Sequence, residues 1–302
     1  MARKERKKII AYAVESTYGV DAIAGGSPKY VLGREFSVTP MAGESQSLDY
    51  DDGTLGNSAE VMTEKYVTLE FTVDLAASND VKVAAPFGDL MSGCLRQANA
   101  VATECTYSFD DNSTGSLTFY FYQSGTLHKV TGARGSLSFS GQAKNFGGIK
   151  FAFTGLFQPV SGQTLPVPDF TPWRTPLKIG VENSAFSIDG KALKLISIEY
   201  DQANSVTYQE YVGHEEVQIT DYKPTATIVI EAPEHADWNP WLLAEQGGTH
   251  TVVFSNGPVT NQIEWKSSKV QLGRPTYGEQ EGTQTYSIPL NVIKFHDVFT
   301  TR

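Results

Sequence analysis

Two stretches, EKYVTLEFTVDLAAS at 64–78 and DYKPTATIVIEAPE at 221–234, decide how the rest of this chain is read. In the first, Val67, Leu69, Phe71, Val73 and Leu75 recur at every second position, and in the second Ala226, Ile228 and Ile230 do the same. Period two marks a strand with one buried and one wet face. Each stretch is followed by a helix candidate that opens on proline: PFGDLMSGCLRQA at 86–98 and PWLLAEQ at Pro240–Gln246. Proline is tolerated at the first helical position because its missing N–H would be unpaired there anyway. Asn239 is placed to cap the second helix and Gly247 to stop it. Both copies then close with strand, Gly-containing polar loop and strand, SLSFSGQAKNFGGIKFAFTGLF at 136–157 and KVQLGRPTYGEQEGTQTYSIPLNV at 269–292.

The same order of signals therefore runs over 30–157 and again over 186–293, as a match of pattern and not of letters. Between them lies QPVSGQTLPVPDFTPWRTP at 158–176, with Pro159, Pro166, Pro168, Pro172 and Pro176. The expected organisation is a first module at 1–157 with a basic N-terminal arm, a Pro-rich linker at 158–176, and a second module at 177–302 with a C-terminal extension. The expected fold is mostly β, two tandem modules of β-sandwich or barrel-forming type, each with one short helix. Turn signals support it: Asp110-Asp111-Asn112 and Ser124-Gly125 break strand-like runs, and Asp189-Gly190 suggests a tight hairpin. A chain of 302 residues suffices for two real cores, and 11% aromatic residues suit packed sheets.

The formal net charge is −10, which disfavours general nucleic-acid binding through phosphates, since that needs a basic surface. The exception is the N-terminal run Arg3, Lys4, Arg6, Lys7 and Lys8, a nucleic-acid or membrane contact or, more simply, a solvated arm. The apolar stretch 9–14 is too short for a signal peptide and ends at Glu15. No run approaches the length of a membrane span. Cys94 and Cys105 read as two buried thiols rather than a disulfide framework. The chain looks made and first used in a cytosol.

Residue constellations that carry catalysis are missing from the sequence. The histidines, at 128, 214, 235, 250 and 296, are scattered, and His214 lacks the second His that a zinc helix needs. The acidic stretch LDYDDG at 48–53 lacks the acidic ligand that ends a calcium loop, Ala59 standing there instead, and reads as a solubilising loop beside a sheet edge. Neither a G-x-S-x-G nucleophile elbow nor a phosphate-binding G-x-x-x-x-G-K-[ST] occurs. Gly141, Gly147 and Gly148 lie between strands, not before a helix. The expectation is a non-enzyme with no metal and no cofactor. Trp173, Trp238, Trp241 and Trp265 offer material for a sugar platform, but Trp238 and Trp241 at a helix start read more simply as packing.

With these residues in hand, the chain resembles the major tail, or tail tube, proteins of long-tailed, non-contractile bacteriophages, in a form with a duplicated tube domain. The resemblance is carried by IIAYAVESTYGVDAIAGG at 9–26, where a strand leads through Glu15, Tyr18 and Gly19 into a Gly/Ala loop. It is carried also by YVTLEFTVDLAASNDVKVAAPFGDLMSGCLRQA at 66–98, where a Val-rich strand precedes a Pro-Phe-Gly-Asp-Leu helix start. The family implies modules whose inner-sheet strands join those of neighbours into a barrel lining a channel. Rings of such modules stack into a tube that holds the tape-measure protein and passes DNA. Single-module members form six-membered rings, so a two-module chain implies a homotrimeric, pseudo-hexameric ring. The implied partners are other copies of the chain, the tape-measure protein, the tail terminator, distal tail or baseplate proteins, and DNA in transit without specific binding. No membrane is implied, and the location is the virion tail after synthesis in the host cytoplasm.

Stacking rings needs an axial interface, and long polar loops are its natural candidates. These span 40–64, with Glu44, Asp49, Asp51, Asp52, Glu60 and Glu64, and 202–216, with Gln209, Glu210, His214, Glu215 and Glu216. The termini 1–8 and 293–302 are further candidates. An acidic lumen would keep DNA from sticking. The competing reading is a carbohydrate-binding β-sandwich for host recognition, and behind it a hydrolase with an unrecognised acid pair.

Overall fold

The computed structural model describes residues 3–78, 80 and 83–302. Its first half runs β1 (Lys8–Val14), β2 (Lys29–Tyr30), β3 (Gly33–Ala42), β4 (Ser45–Ser47), β5 (Glu60–Met62), β6 (Tyr66–Asp74), α1 (Gly88–Ser92), β7 (Arg96–Ala100), β8 (Cys105–Phe109), β9 (Leu117–Gln123), β10 (Thr126–Gln142) and β11 (Gly148–Phe157). After β12 (Ser161–Gly162) come β13 (Ser184–Ile188), β14 (Lys191–Ala192), β15 (Leu195–Asp201), β16 (Asn204–Tyr211), β17 (His214–Tyr222), β18 (Thr225–Glu231), α2 (Pro240–Gln246), β19 (His250–Asn256), β20 (Ile263–Leu272), β21 (Thr276–Gln280), β22 (Thr283–Val292) and β23 (Asp297–Thr301). The protein is mostly β, as its sequence predicts.

The two halves repeat one strand order. In the first the neighbours are β3, β6, β11, β10, β9 and β1. In the second they are β15, β18, β22, β20, β19 and β13. Each series has its strands in the same chain order, with a helix after the third. In each, a hairpin excursion separates the first two sheet neighbours: β4–β5 between β3 and β6, and β16–β17 between β15 and β18. All these ladders are antiparallel. The sheet curls strongly, but its pairings branch without returning to their start, so it keeps free edges.

Alternation does the folding work. Val67, Leu69, Phe71 and Val73 are buried to 1% exposure or less, while Thr68, Glu70 and Thr72 between them face outward. Phe71 packs on Phe119 and Phe153 at centroid distances of 6.2 and 6.0 Å, joining the two layers of the first core. Bulk aromatic area of this kind is the dominant stabilising term. In the second half Tyr200, Phe254, Trp265 and Phe299 play the same part, and Phe139 of β10 enters their cluster, 5.5 Å from Phe254 and 6.0 Å from Phe299. The first half thus donates a ring to the core of the second.

Strand β10 makes this possible. Residues 126–133 pair with β9, and residues 138–142 pair on the same side with β15. The change of partner follows an irregularity at Gly132-Ala133, where Gly132 takes φ +59. A Cβ there would meet the Tyr18 ring at 2.8 Å. Bulges of this kind bend a strand and let it leave one sheet layer for another.

Two local expectations need correction. The helix candidate at 86–98 is helical only over Gly88–Ser92; Leu95 turns the chain at φ 62, and Arg96–Ala100 is a strand. That strand pairs with β8, which pairs with the C-terminal β23, so long-range pairing overrides local helix propensity. The span 202–216 is not an open loop but a long hairpin, β16–β17. The second helix matches its prediction: the Asn239 side chain accepts from the Leu242 N–H at 3.1 Å, and Gly247 ends the helix at φ 63. The Asp189-Gly190 turn is likewise a tight hairpin with both residues at positive φ.

Replacing Phe139 by Ala is expected to lower unfolding free energy by about 3–5 kcal/mol, because a large ring leaves a closed aromatic cluster. Val160→Ala on the exposed linker is expected to stay within about 0.5 kcal/mol. Urea denaturation of the two variants beside the parent checks both.

Candidate assembly surfaces

One sheet crosses both halves and shows a single polar face. Its rows can be followed strand by strand: Arg34, Thr72, Lys150, Ser138, Asp201, Thr225 and Asn291 stand opposite one another in order. The next row contains Asp74, Gly148, Ser140, Glu199, Thr227 and Pro289. Register forces the result, since residues two apart share a face and the intervening ones are core. The face is Ser/Thr-rich. Its bases are paired, Lys150 with Glu70 at 2.8 Å and Arg34 with Asp74 at 2.5 Å. Among the described residues, Glu199 and Asp201 have no ion-pair partner and leave the face net acidic.

The hairpin β16–β17 does not stand free. It leans back over the first half: Tyr208 stacks on Tyr66 at 5.3 Å, the Val217 N–H donates to Tyr18 Oη at 2.6 Å, and Arg134 donates to the Val217 carbonyl at 2.9 Å. Tyr18 is held in turn by its loop, where the Glu15 carboxylate accepts from Gly19 N, Ser116 Oγ, Thr118 Oγ1 and Gly132 N at 2.6–2.8 Å. The Glu15, Tyr18 and Gly19 signature therefore fixes both the bulge of β10 and the docking of the hairpin.

A buried polar cluster locks the halves from the other side. The guanidinium of Arg96 pairs with Asp297, both fully buried, and donates to Gln202 Oε1 at 2.6 Å and Tyr200 Oη at 2.8 Å. Asp297 also accepts from the hydroxyls of Tyr200 at 2.7 Å and Tyr222 at 2.6 Å. Burial works against the charge on Asp297, but Arg96 and the two tyrosine hydroxyls outweigh it and hold the carboxyl below the usual range. Sequence reading missed this cluster, because a lone Arg and a lone Asp so far apart in the chain give no local signal.

A family model described as phage tail tube protein matches residues 6–290, nearly the whole chain. The chain belongs to the phage tail tube protein family. It is a structural component of the bacteriophage virion tail, of a family that is not enzymatic, as the resemblance in its sequence implied. A comparison with curated proteins found no match.

The candidate loop residues of this tail tube chain fall on the two excursions. Glu44, Asp49, Asp51, Asp52, Glu60 and Glu64 line the β4–β5 arm and are all exposed; Glu210, His214 and Glu215 are exposed on β16–β17, where Gln209 and Glu216 are half-buried. The Asp49–Asp52 stretch is spent on its own turn, with Asp52 accepting from the Thr54 N–H and hydroxyl at 2.9 and 2.7 Å. Among the described residues no group of His, Cys, Asp and Glu is arranged to hold a metal ion. The basic arm is tied at its start: Arg3 donates to Thr126 Oγ1 at 2.6 Å and the Lys4 N–H to Ser124 Oγ at 2.9 Å. Lys8 already belongs to β1, Arg6 and Lys7 are exposed, and Met1 and Ala2 lie outside the described residues. Cys94 and Cys105 are free and fully buried, and burial pushes both thiols up, away from reactivity. Trp238 and Trp265 are buried, Trp173 donates to the Tyr30 carbonyl at 2.9 Å, and Trp241 packs on Tyr286 at 4.8 Å. Among the described residues no helix is long and apolar enough to cross a membrane.

Asp297→Asn is expected to cost about 3–5 kcal/mol, because it strands a buried guanidinium. The wild-type pair should also show in acid. Since the folded carboxyl titrates below its unfolded value of about 3.9, its stabilisation is full above that pH and disappears as pH falls through the lower folded value. Unfolding free energy measured from pH 6 down to pH 2 should therefore drop more steeply in the parent than in the Asn variant.

Proposed function

We propose that three copies of this chain form a pseudo-hexameric ring, that such rings stack into the tail tube, and that the polar sheet face lines its lumen. The tube houses the tape-measure protein and conducts DNA, and its ends meet the terminator and the distal tail or baseplate proteins. One observation carries this reading: a single sheet runs through both halves of the chain with one continuous face of Ser, Thr and unpaired acid. A ring can turn the same face of every module to its axis, and a face whose bases in the two traced rows, Arg34 and Lys150, are both ion-paired offers phosphates little foothold.

The repeated strand order supports treating the chain as two tube modules, 1–157 and 177–302, around the linker 158–176. The linker is an ordered strap in this reading, since β12 pairs with the start of β10, and Arg174 donates to the Ser78 carbonyl at 3.2 Å. The exposed acids of the two excursions, Glu44, Asp49, Asp51, Asp52, Glu60, Glu64, Glu210 and Glu215, with the exposed His214 and the half-buried Gln209 and Glu216, are assigned to contacts between subunits and between rings. The basic residues Arg3, Lys4, Arg6 and Lys7 of the N-terminal arm, which is tied to the β9–β10 turn, are assigned to the same contacts as the charge complement of these acids on neighbouring copies.

Negative-stain electron microscopy of the concentrated protein, with rotational averaging of end-on views, tests the proposal. Hollow tubes whose rings show three-fold symmetry and six similar lobes are expected. True six-fold rings from six whole chains, or a monomer that binds sugar saturably, would refute it.

A further inference from the structure

The chain contains, folded into itself, one seam between its two halves, and it leaves both sides of a second seam bare. In the internal seam the end of β10 pairs antiparallel with β15: Ser138 with Asp201, Ser140 with Glu199 and Gln142 with Ser197. Within the six-strand series β10 is fifth in chain order and β15 second. Their counterparts are β20, whose ladder with β22 is continued by β21 past the break at 273–275, and β3.

Among the described residues β21 and β3 are both unpaired on the relevant edge: β21 pairs only with β22, and all five of its residues are exposed, while β3 pairs only with β6. Bare edges of this kind are liabilities that native proteins normally blunt or cover. The faces agree as well. The row Gln142, Ser197, Val229, Ser287 and Thr276 carries the polar face onto β21. Tyr277 therefore lies on the core side, as Phe139 does on β10. Phe139 is buried in the core of the neighbouring half, whereas Tyr277 is 66% exposed. On the receiving side Leu32 and Met41, beside and within β3, are exposed as well.

A third feature points the same way. The β16–β17 hairpin follows β15 and folds back over the half that supplies β10. Its counterpart β4–β5 follows β3 and has nothing to fold over, leaving Tyr50, Leu55, Val61 and Met62 in solvent. The ground it would cover is bare too: Thr225, Pro289 and Asn291 are exposed, while the matching Thr68, Ala152 and Thr154 are half-buried.

We infer that β21 of one chain pairs antiparallel with β3 of a second copy, whose β4–β5 arm folds back over the first chain's second half. Tyr277 then fills the open core beside β3, as Phe139 does internally. The contact is head-to-tail, so its repetition builds a ring, when the rotation closes as the proposed trimer requires, and not a two-fold dimer. It rests on the ring reading above and names the surface that builds it.

Disulfide scanning in the full chain tests the pairing, since both native cysteines are buried. Thr276→Cys or Gln280→Cys is combined in turn with Ser37→Cys or Thr39→Cys, all exposed positions on one side of their strands. Assembled protein is oxidised and run on non-reducing gels, with the same samples imaged by electron microscopy. At least one combination should give linked dimers and trimers in a ladder that stops at the trimer, and a Val38→Cys partner, facing the other side, should give none. Rings in the images with no linked species in any combination would overturn this pairing while leaving the ring reading intact. Wild-type protein that forms no rings would overturn both.

Discussion

The structure depends on what happens to the polar backbone at the edge of a sheet. Every strand that ends a sheet carries N–H and C=O groups that must find partners or water. Here the strand Thr126–Gln142 is long enough to satisfy one neighbour over its first part and another over its last. The bulge at Gly132 is the joint between the two uses. Because the second neighbour belongs to the other half, the cores are not separable: Phe139 reaches across with its backbone. The ladder holds register, and register in turn assigns every side chain to core or polar face.

The second connection is of a different kind. The C-terminal strand Asp297–Thr301 lies between Ile263–Leu272 of the second half and Cys105–Phe109 of the first. At its start the Arg96–Asp297 pair is sunk among Tyr200, Tyr222 and Gln202. Such a pair adds little net stability over a well-packed apolar set, because desolvation consumes most of the attraction. It is nonetheless intolerant of substitution on one side only. An aromatic cluster accepts many partners; a buried guanidinium with defined acceptors accepts one arrangement. The cluster thus fixes how one half is set against the other.

Much of this was legible in the sequence, and the parts that were not share a cause. The strand 66–74, the helix Pro240–Gln246 and the hairpin at Asp189-Gly190 all depend on residues near in sequence, and reading those residues was enough. The helix candidate at 86–98 shortened because Arg96–Ala100 is claimed by a strand that is itself anchored by the chain's C-terminus, a partner far outside any local window. The excursion at 202–216 read as a loop because its strands are polar, being paired mainly to each other on the surface. Glu15 and Tyr18 were noticed as part of a family pattern, while their work, holding a bulge and a distant hairpin, required coordinates. The Arg96–Asp297 cluster left no trace in spacing at all.

The strap at 158–176 gives the internal seam a kinetic property that contact geometry alone does not describe. Two strands on one polypeptide meet at an effective concentration of about millimolar, however dilute the protein. Any seam between separate chains must wait for encounter and falls away on dilution. In the proposed trimeric ring, each chain therefore enters assembly with half of the joints already made, in fixed register. What remains is a slower, concentration-dependent step. On the proposed reading, the covalent link works as a clock that separates folding from growth, with each subunit finished before it joins the tube.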